Sequence, residues 1–258
     1  FIEVGTVTPK PQSGNPQPRL FRLTKDRALI NRMGFNNEGL KALRKRLETF
    51  RKTHPNCDMQ IGINIGKNKT TPNENAVNDY VKCYDELYHL ADFFIVNVSS
   101  PNTPNLRELQ NKEELKKIIS ALLDIRKTKD NWKPMYLKIA PDLTFGMLDE
   151  IVELQQEIAF EGIVATNTSI DRTLLTKSSK KLVLEIGDGG ISGAPVLAVS
   201  NSFVKHIRSK SDMTIIGVGG IEDAASGQFK LDAGADLIEI YTGFIYTGPG
   251  LVKELGNL

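Results

Sequence analysis

Short apolar, β-branched runs alternate along this chain with amphipathic helical segments, and that alternation restricts the fold to a parallel sheet covered by helices. The period predicts a strand near Phe1 to Val7, a helix near Asn37 to Thr53, a strand near Gln60 to Ile65 and a helix near Ala76 to Leu90. It continues with a strand at Asp92 to Val98, a helix at Lys112 to Lys127, a strand at Pro134 to Ala140, a helix at Phe145 to Ile158 and a strand at Gly162 to Thr166. An insertion from Ser169 to Ala194 then precedes a helix at Val196 to Arg208, a strand at Thr214 to Val218, a helix at Asp223 to Ala233 and a strand at Asp236 to Tyr241. Runs such as Phe93-Phe94-Ile95-Val96 are apolar on both faces, as parallel strands with buried surfaces are.

Polar residues at the strand ends decide between an open doubly wound sheet and a barrel. Asn64 closes Ile61-Gly62-Ile63, Lys138 lies inside Tyr136-Leu137-Lys138-Ile139, Asn167 follows Thr166, and Asn97-Val98-Ser99-Ser100-Pro101-Asn102-Thr103 follows its own strand. A doubly wound sheet gathers ligand groups at one switch point, whereas a closed ring offers them at nearly every strand. The expected fold is therefore an α/β TIM (β/α)8 barrel, truncated, with about seven of its eight strands present. With no Gly/Ser/Pro-rich linker, residues 1–258 are expected to form a single domain. Phe1-Ile2-Glu3-Val4 already reads as strand, so the chain is expected to be a fragment of a longer protein.

Charge and cysteine content remove several function classes. Lys and Arg number 33 against 31 Asp and Glu, a net charge of +2, and both signs are mixed through the helices. The basic cluster Lys41, Arg44, Lys45, Arg46, Arg51 and Lys52 lies opposite the apolar stripe Leu40, Leu43, Leu47, Phe50, which reads as a solvated face; no nucleic-acid partner is expected. Cys57 and Cys83 lack metal-ligand spacing, and neither a metal nor a disulfide is expected. His54, His89 and His206 fall near predicted helix ends and receive no role. No apolar stretch reaches the length of a membrane span, so this piece is soluble in composition.

Ile215-Ile216-Gly217-Val218-Gly219-Gly220-Ile221 runs from a strand through glycines to a helix opened by Glu222-Asp223, and Ile240-Tyr241-Thr242-Gly243 closes the next strand. Loops after the last two barrel strands are the usual phosphate site of this architecture, although each alone is also an ordinary tight turn. Lys138, in an apolar strand, must either face the barrel mouth or find a buried anion. Its functional reading is a positive charge placed where a cofactor ring gains negative charge; its structural reading is an ion pair. Ser100 precedes Pro101 in an extended or turn conformation and has no neighbouring His or Asp to activate it, so chemistry alone does not nominate it as a base. Asn31, Asn97, Asn102 and Asn167 supply neutral donors and acceptors suited to a small polar heterocycle, with buried structural amides as the alternative for one or two of them.

Taken in order, these motifs resemble the quinone-dependent (class 2) dihydroorotate dehydrogenases. The matching segments are Gly5-Thr6-Val7-Thr8-Pro9-Lys10-Pro11-Gln12 with Gly14-Asn15-Pro16 and Pro18-Arg19, Asn31-Arg32-Met33-Gly34-Phe35-Asn36, Asn64-Ile65-Gly66-Lys67-Asn68 and Asn97 to Thr103. They continue through Lys138-Ile139-Ala140-Pro141-Asp142, Thr166-Asn167-Thr168, Gly189 to Gly193, Gly217 to Gly220 and Tyr241-Thr242, covering nearly the whole chain. The resemblance implies an FMN enzyme of pyrimidine biosynthesis that oxidises dihydroorotate to orotate and passes the electrons to a quinone. It assigns Ser100 as the base that removes the C5 proton, with hydride leaving C6 for flavin N5, and serine in place of cysteine marks the class. It places Asn31, Arg32, Met33, Gly34, Phe35, Asn97, Asn102, Asn167 and Thr168 at the substrate. For FMN it implies Gly5, Thr6, Asn64, Asn97, Lys138, Thr166, Gly193, Gly220, Tyr241 and Thr242.

The family also carries a first strand with a small-residue turn and a substrate lysine, and a membrane-binding helical extension that forms the quinone entrance. Neither is in this sequence, and Arg22 resembles the arginine that lines that entrance. Membrane association, peripheral at a bacterial cytoplasmic or mitochondrial inner membrane, is therefore expected of the longer parent. Uncovered apolar surface predicts poor folding or aggregation of the piece alone. The competing readings are a non-catalytic flavin-binding or structural remnant of the family, and another FMN barrel such as a dihydropyrimidine dehydrogenase domain. Ser100 and the Thr8-Pro9-Lys10-Pro11 loop argue against the latter.

Overall fold

The computed structural model describes residues 1–258. Along the chain run β1 (Ile2–Val7), β2 (Leu20–Leu23), β3 (Ala28–Asn31), α1 (Leu40–Thr53), β4 (Ile61–Ile65), α2 (Ala76–Leu87), β5 (Phe93–Asn97), α3 (Lys112–Arg126), β6 (Met135–Ile139), α4 (Phe145–Ile158) and β7 (Gly162–Ala165). Then come α5 (Lys180–Ile186), β8 (Gly190–Gly193), α6 (Leu197–Arg208), β9 (Thr214–Val218), α7 (Ala224–Asp232), β10 (Leu237–Glu239), α8 (Thr242–Thr247) and α9 (Gly250–Leu255).

Seven strands form one parallel sheet in the order β1-β4-β5-β6-β7-β9-β10. The sheet curls: Lys138 in central β6 bonds Glu3 of β1 and Glu239 of β10, the two edge strands. This is the expected barrel arrangement with seven strands in an arc. Its helix-facing side carries the main core, including Ile63, Ile65, Phe94, Val96, Leu137, Ile139 and Ile163 against Tyr80, Tyr84, Leu115, Ile119, Leu148 and Ile151. Each such side chain contributes roughly 1.5–3 kcal/mol by leaving water.

Helix boundaries have local causes. Asn111 accepts the Glu114 amide at the start of α3, Thr144 accepts the Met147 amide at the start of α4, and Asp223 with Ser226 forms a capping box on α7. Some expected boundaries move: α2 ends at Leu87 rather than Leu90, β10 at Glu239 rather than Tyr241, and α1 begins at Leu40 rather than Asn37, because the Asn37 side chain accepts the Thr8 and Gly39 amides and holds the preceding loop.

Alternate residues point inside the arc, where an apolar cluster and a polar one share the surface. Phe93, Ile95, Val164, Ile216 and Val218 pack together with Tyr136. Gly62 is required there, since a Cβ on it would lie 2.2 Å from the Phe93 ring. On the same inner face stand Asn64, Lys138 and Glu239, in register with Ile95, Val164 and Val218, together with Asn97 and Glu3.

A second sheet lies outside the sequence expectations. β2, β3 and β8 pair antiparallel, with Leu20 opposite Asn31 and Asn31 opposite Gly190. The segment from Ser169 to Ala194 is thus more than an insertion: it supplies β8 and α5, and Ile186 and Ile191 pack with Leu23, Ala28, Ile30 and Val196 into a small core of their own.

Candidate active site

A continuous hydrogen-bond chain links residues on or just past six of the parallel strands. Asn167 donates to Ser99 Oγ (2.9 Å) and Asn97 Oδ1 (3.4 Å), Asn97 donates to Thr6 Oγ1 (3.0 Å), and Thr6 donates to Asn64 Oδ1 (2.7 Å). Asn64 donates in turn to Glu3 Oε1 (2.7 Å), whose two oxygens meet Lys138 Nζ at 2.9 and 3.0 Å. Glu239 Oε2 completes the series 3.4 Å from the same ammonium. Gly5, Thr6, Asn64, Asn97, Lys138 and Asn167 are thereby brought to one surface. A substitution at Gly5 is blocked by the Asn64 carbonyl, 2.4 Å from where its Cβ would stand.

Lys138 faces the interior of the arc and pairs there with Glu3 and Glu239, the ion pair of its structural reading. Burial opposes its charge, but Glu239 and Glu3 outweigh that cost and hold its pKa above the ordinary lysine value. Glu3 is held below the usual carboxylate value: burial pushes it up, and Lys138 with the hydrogen bonds around it pulls it further down. Burial pushes Glu239 up to about 8, with Lys138 lowering and Glu3 raising it.

Ser100 is buried in the loop after β5 and accepts the Asn102 amide at 3.2 Å. Beside it Asn102 Nδ2 donates to Asn31 Oδ1 (3.0 Å), joining the β5 loop to the end of β3, and Asn15 Nδ2 donates to the Asn102 carbonyl (3.0 Å). Thr166 and Thr168, just past β7, each carry a buried hydroxyl with no protein partner.

The four residues after Asn31 diverge. The Arg32 guanidinium donates to the Ile186 and Asp188 carbonyls and stacks on Phe21, which commits it to holding α5. Met33 donates its amide toward Asn31 Oδ1, Gly34 takes a left-handed φ of 71° against the Asn15 side chain, and Phe35 packs on the main core. Arg22 faces outward over the Tyr246 ring.

At the other end of the site Thr242 donates to Ser192 Oγ (2.8 Å), and a Cβ on Gly193 would lie 2.9 Å from Thr242 Cγ2. Gly219 and Gly220 take φ values of +115° and +81° after β9, with Gly220 seated directly on Leu197. Tyr241 is 74 % exposed at the head of α8. Gly193 and Thr242 thus meet at two strand ends, while Gly220 packs on Leu197 at the start of α6.

Four residues outside the sequence-based assignments contribute. Arg107 donates to the Ser99 and Thr168 carbonyls (2.9 and 2.8 Å) and to Asp142 (2.7 Å), clamping the loops after β5, β6 and β7. Ser99 connects Asn167 to Asn97. Glu3 and Glu239 sit on edge strands where an acidic residue resembles any solvent-facing position; only an apolar neighbourhood on both sides of Glu239 hinted otherwise.

The dihydroorotate dehydrogenase family profile matches residues 1–257. The chain belongs to the dihydroorotate dehydrogenase family. It is 51 % identical over 259 residues to the dihydroorotate dehydrogenase (quinone) of Christiangramia forsetii, covering 100 % of this chain and 73 % of that protein. Identity to the dihydroorotate dehydrogenase (quinone) of Myxococcus xanthus is 47 % over 258 residues, covering 98 % and 68 %. The fold is similar to crystal structures of the Eimeria tenella dihydroorotate dehydrogenase. The ligand-free form has a TM-score of 0.92 at 36 % identity, covering 100 % of this chain and 76 % of that one. The ferulenol complex has a TM-score of 0.90 at 35 % identity, covering 100 % and 73 %. Membership places the chain in the quinone-dependent class and implies a flavin cofactor.

Proposed function

We propose that this chain, acting as a single barrel domain, oxidises dihydroorotate to orotate in pyrimidine biosynthesis, with FMN as hydride acceptor and a quinone as final electron acceptor. The observation that carries the reading is the convergence of the Ser100 loop, Asn31, Asn97, Asn102 and Asn167 over Lys138 on one strand-end surface. The residues fit a flavin. Two buried threonine hydroxyls lack protein partners, a cation lies inside the arc, and Gly193 lies against Thr242. Thr166, Asn64, Asn97, Thr6, Gly5 and Lys138 would hold the ring, and Gly193, Gly220, Tyr241 and Thr242 the phosphate. When bound, FMN supplies the two-electron acceptor for the substrate's C6 hydride.

The protein's part is positioning and proton removal. Asn31, Asn97, Asn102 and Asn167, with Thr168, supply neutral donors and acceptors for the amide edges of the substrate ring. Gly34 and Phe35 shape the loop that brings Asn31 to Asn102, while Met33 borders it. Arg32 supports this loop from behind through α5. Ser100 Oγ would accept the C5 proton as its own hydroxyl proton leaves toward solvent; the Asn102 amide donating to it favours the alkoxide character this requires. Lys138 sets a fixed positive charge where the acceptor ring gains negative charge. Because quinones dissolve in lipid, the enzyme works peripherally at a bacterial cytoplasmic or mitochondrial inner membrane; no helix of the chain is long and apolar enough to cross one.

The remnant reading is not favoured, since similarity to named enzymes runs the whole length of the chain. The test is anaerobic absorbance of the FMN-loaded protein on mixing with dihydroorotate. Rapid bleaching is expected, slowed at least 100-fold in Ser100→Ala, in the range general-base loss gives. Folded, FMN-loaded protein that is not bleached would refute the function; an unchanged rate in Ser100→Ala would refute the base.

A further inference from the structure

One ammonium, Lys138, faces two carboxyl groups inside the arc, and the three side chains come from β6, β1 and β10. The apolar cluster of Phe93, Ile95, Tyr136, Val164, Ile216 and Val218 shares that inner face. Glu239 stands in register with Val218, and the charged groups around it are Lys138 and Glu3. Two ionised carboxylates against one ammonium would leave an unmatched negative charge in this setting, which is costly.

The contacts distinguish the two acids. Glu3 has both oxygens on Lys138 and a third donor in Asn64, as an ionised carboxylate needs. Glu239 has a single longer contact to Lys138, at 3.4 Å and without a second donor, on the ammonium that Glu3 already holds with both oxygens. A buried carboxylate left with one long contact to a shared ammonium is short of donors, whereas a protonated carboxyl needs fewer and can itself donate to a neighbouring acceptor.

We propose that Glu239 is a positioning residue that holds a proton against Glu3, so that Lys138 meets the flavin ring as an ammonium balanced by one negative charge instead of two. The flavin part rests on the function proposed above; the proton-sharing pair stands on the protein alone. At neutral pH the three groups sum to zero. As pH rises through about 8 the Glu239 proton leaves for solvent and the cluster becomes net negative beside the ring. By linkage, negative charge gained by the ring on reduction strengthens proton binding at Glu239. In the window just above that pH, reduction then takes up a second proton, and the dependence of the flavin midpoint potential on pH becomes twice as steep.

Two readouts test this. Infrared titration of the flavin-free protein is expected to show one protonated carboxyl at pH 7 that disappears with a midpoint near 8 in the wild type. The signal should be missing in Glu239→Gln. It should also be missing at pH 7 in Glu3→Gln, where Glu239 becomes the sole anion of Lys138. In the FMN-loaded protein, potentiometry across pH 6 to 10 should give the doubled slope in wild type and a single slope throughout in Glu239→Gln. Absence of the protonated carboxyl in wild type, its persistence in Glu239→Gln, or equal slopes in the two proteins would overturn the proposal. If the slopes differ as expected but dihydroorotate does not bleach the flavin, the substrate assignment fails while the role of Glu239 stands.

Discussion

Replacing Lys230 by Met should stabilise this protein at neutral pH and lose that advantage in alkali. Lys230 lies on α7, fully buried, with its stem across Gly217 and Ala235, and its ammonium contacts Ser200 Oγ at 2.6 Å with no carboxylate in reach. Burial pushes its pKa down to about 7 from an ordinary 10.5. At about 1.4 kcal/mol per unit, that difference amounts to roughly 5 kcal/mol of cost to the folded state at pH values below 7. The folded pKa is depressed, so between about 7 and 10.5 the unfolded chain binds more protons and stability rises with pH until the cost is gone. Met fills a similar volume and forfeits the Ser200 hydrogen bond, worth about 1 kcal/mol, while Ser200 keeps its own bond to the Val218 carbonyl. The net expectation is a gain of about 2–4 kcal/mol at pH 6.5, falling to zero or below by pH 10. Urea midpoints of both proteins, at half-unit steps of pH, measure it. A stability difference that stays flat across that range would refute the reasoning, because it would mean that Lys230 titrates alike in the folded and unfolded chains.

Two further expectations are sharper locally. Gly162→Ala would set a Cβ 1.9 Å from the Thr214 carbonyl, inside the β7–β9 pairing, and should cost about 3 kcal/mol or more in chemical denaturation. Arg107→Lys keeps the charge but not the fork that spans Ser99, Thr168 and Asp142; KM for dihydroorotate should rise about tenfold, with FMN affinity measured by fluorescence little changed.

The seven parallel strands were legible because each is a short apolar run fixed by its own residues: Thr214–Val218 falls where the period puts it, as does the helix Phe145–Ile158. The strand-end asparagines and Lys138 were legible for the same reason, as polar groups where a buried strand should have none. What stayed hidden depends on partners distant in sequence. Leu20–Leu23 and Ala28–Asn31 become strands only as part of a sheet whose third member, Gly190–Gly193, lies some 160 residues further on. Lys230 reads as an ordinary helical lysine until α6 and β9 close over it. Arg107 sits in a polar loop, and its three acceptors belong to three different connections.

The antiparallel sheet joins two parts of the site that the barrel itself keeps apart. Asn31, which meets Asn102, pairs with Gly190 at one end of the β3–β8 ladder; Ala28 pairs with Gly193, beside Thr242, at the other. The two ends are about 10 Å apart along strands that cannot slide without breaking their ladder. A shift that draws Asn31 off Asn102 therefore pulls on Gly193 beside Thr242. On the function proposed above, substrate exchange and cofactor retention would share one lever, whose stiffness is that of four backbone pairings.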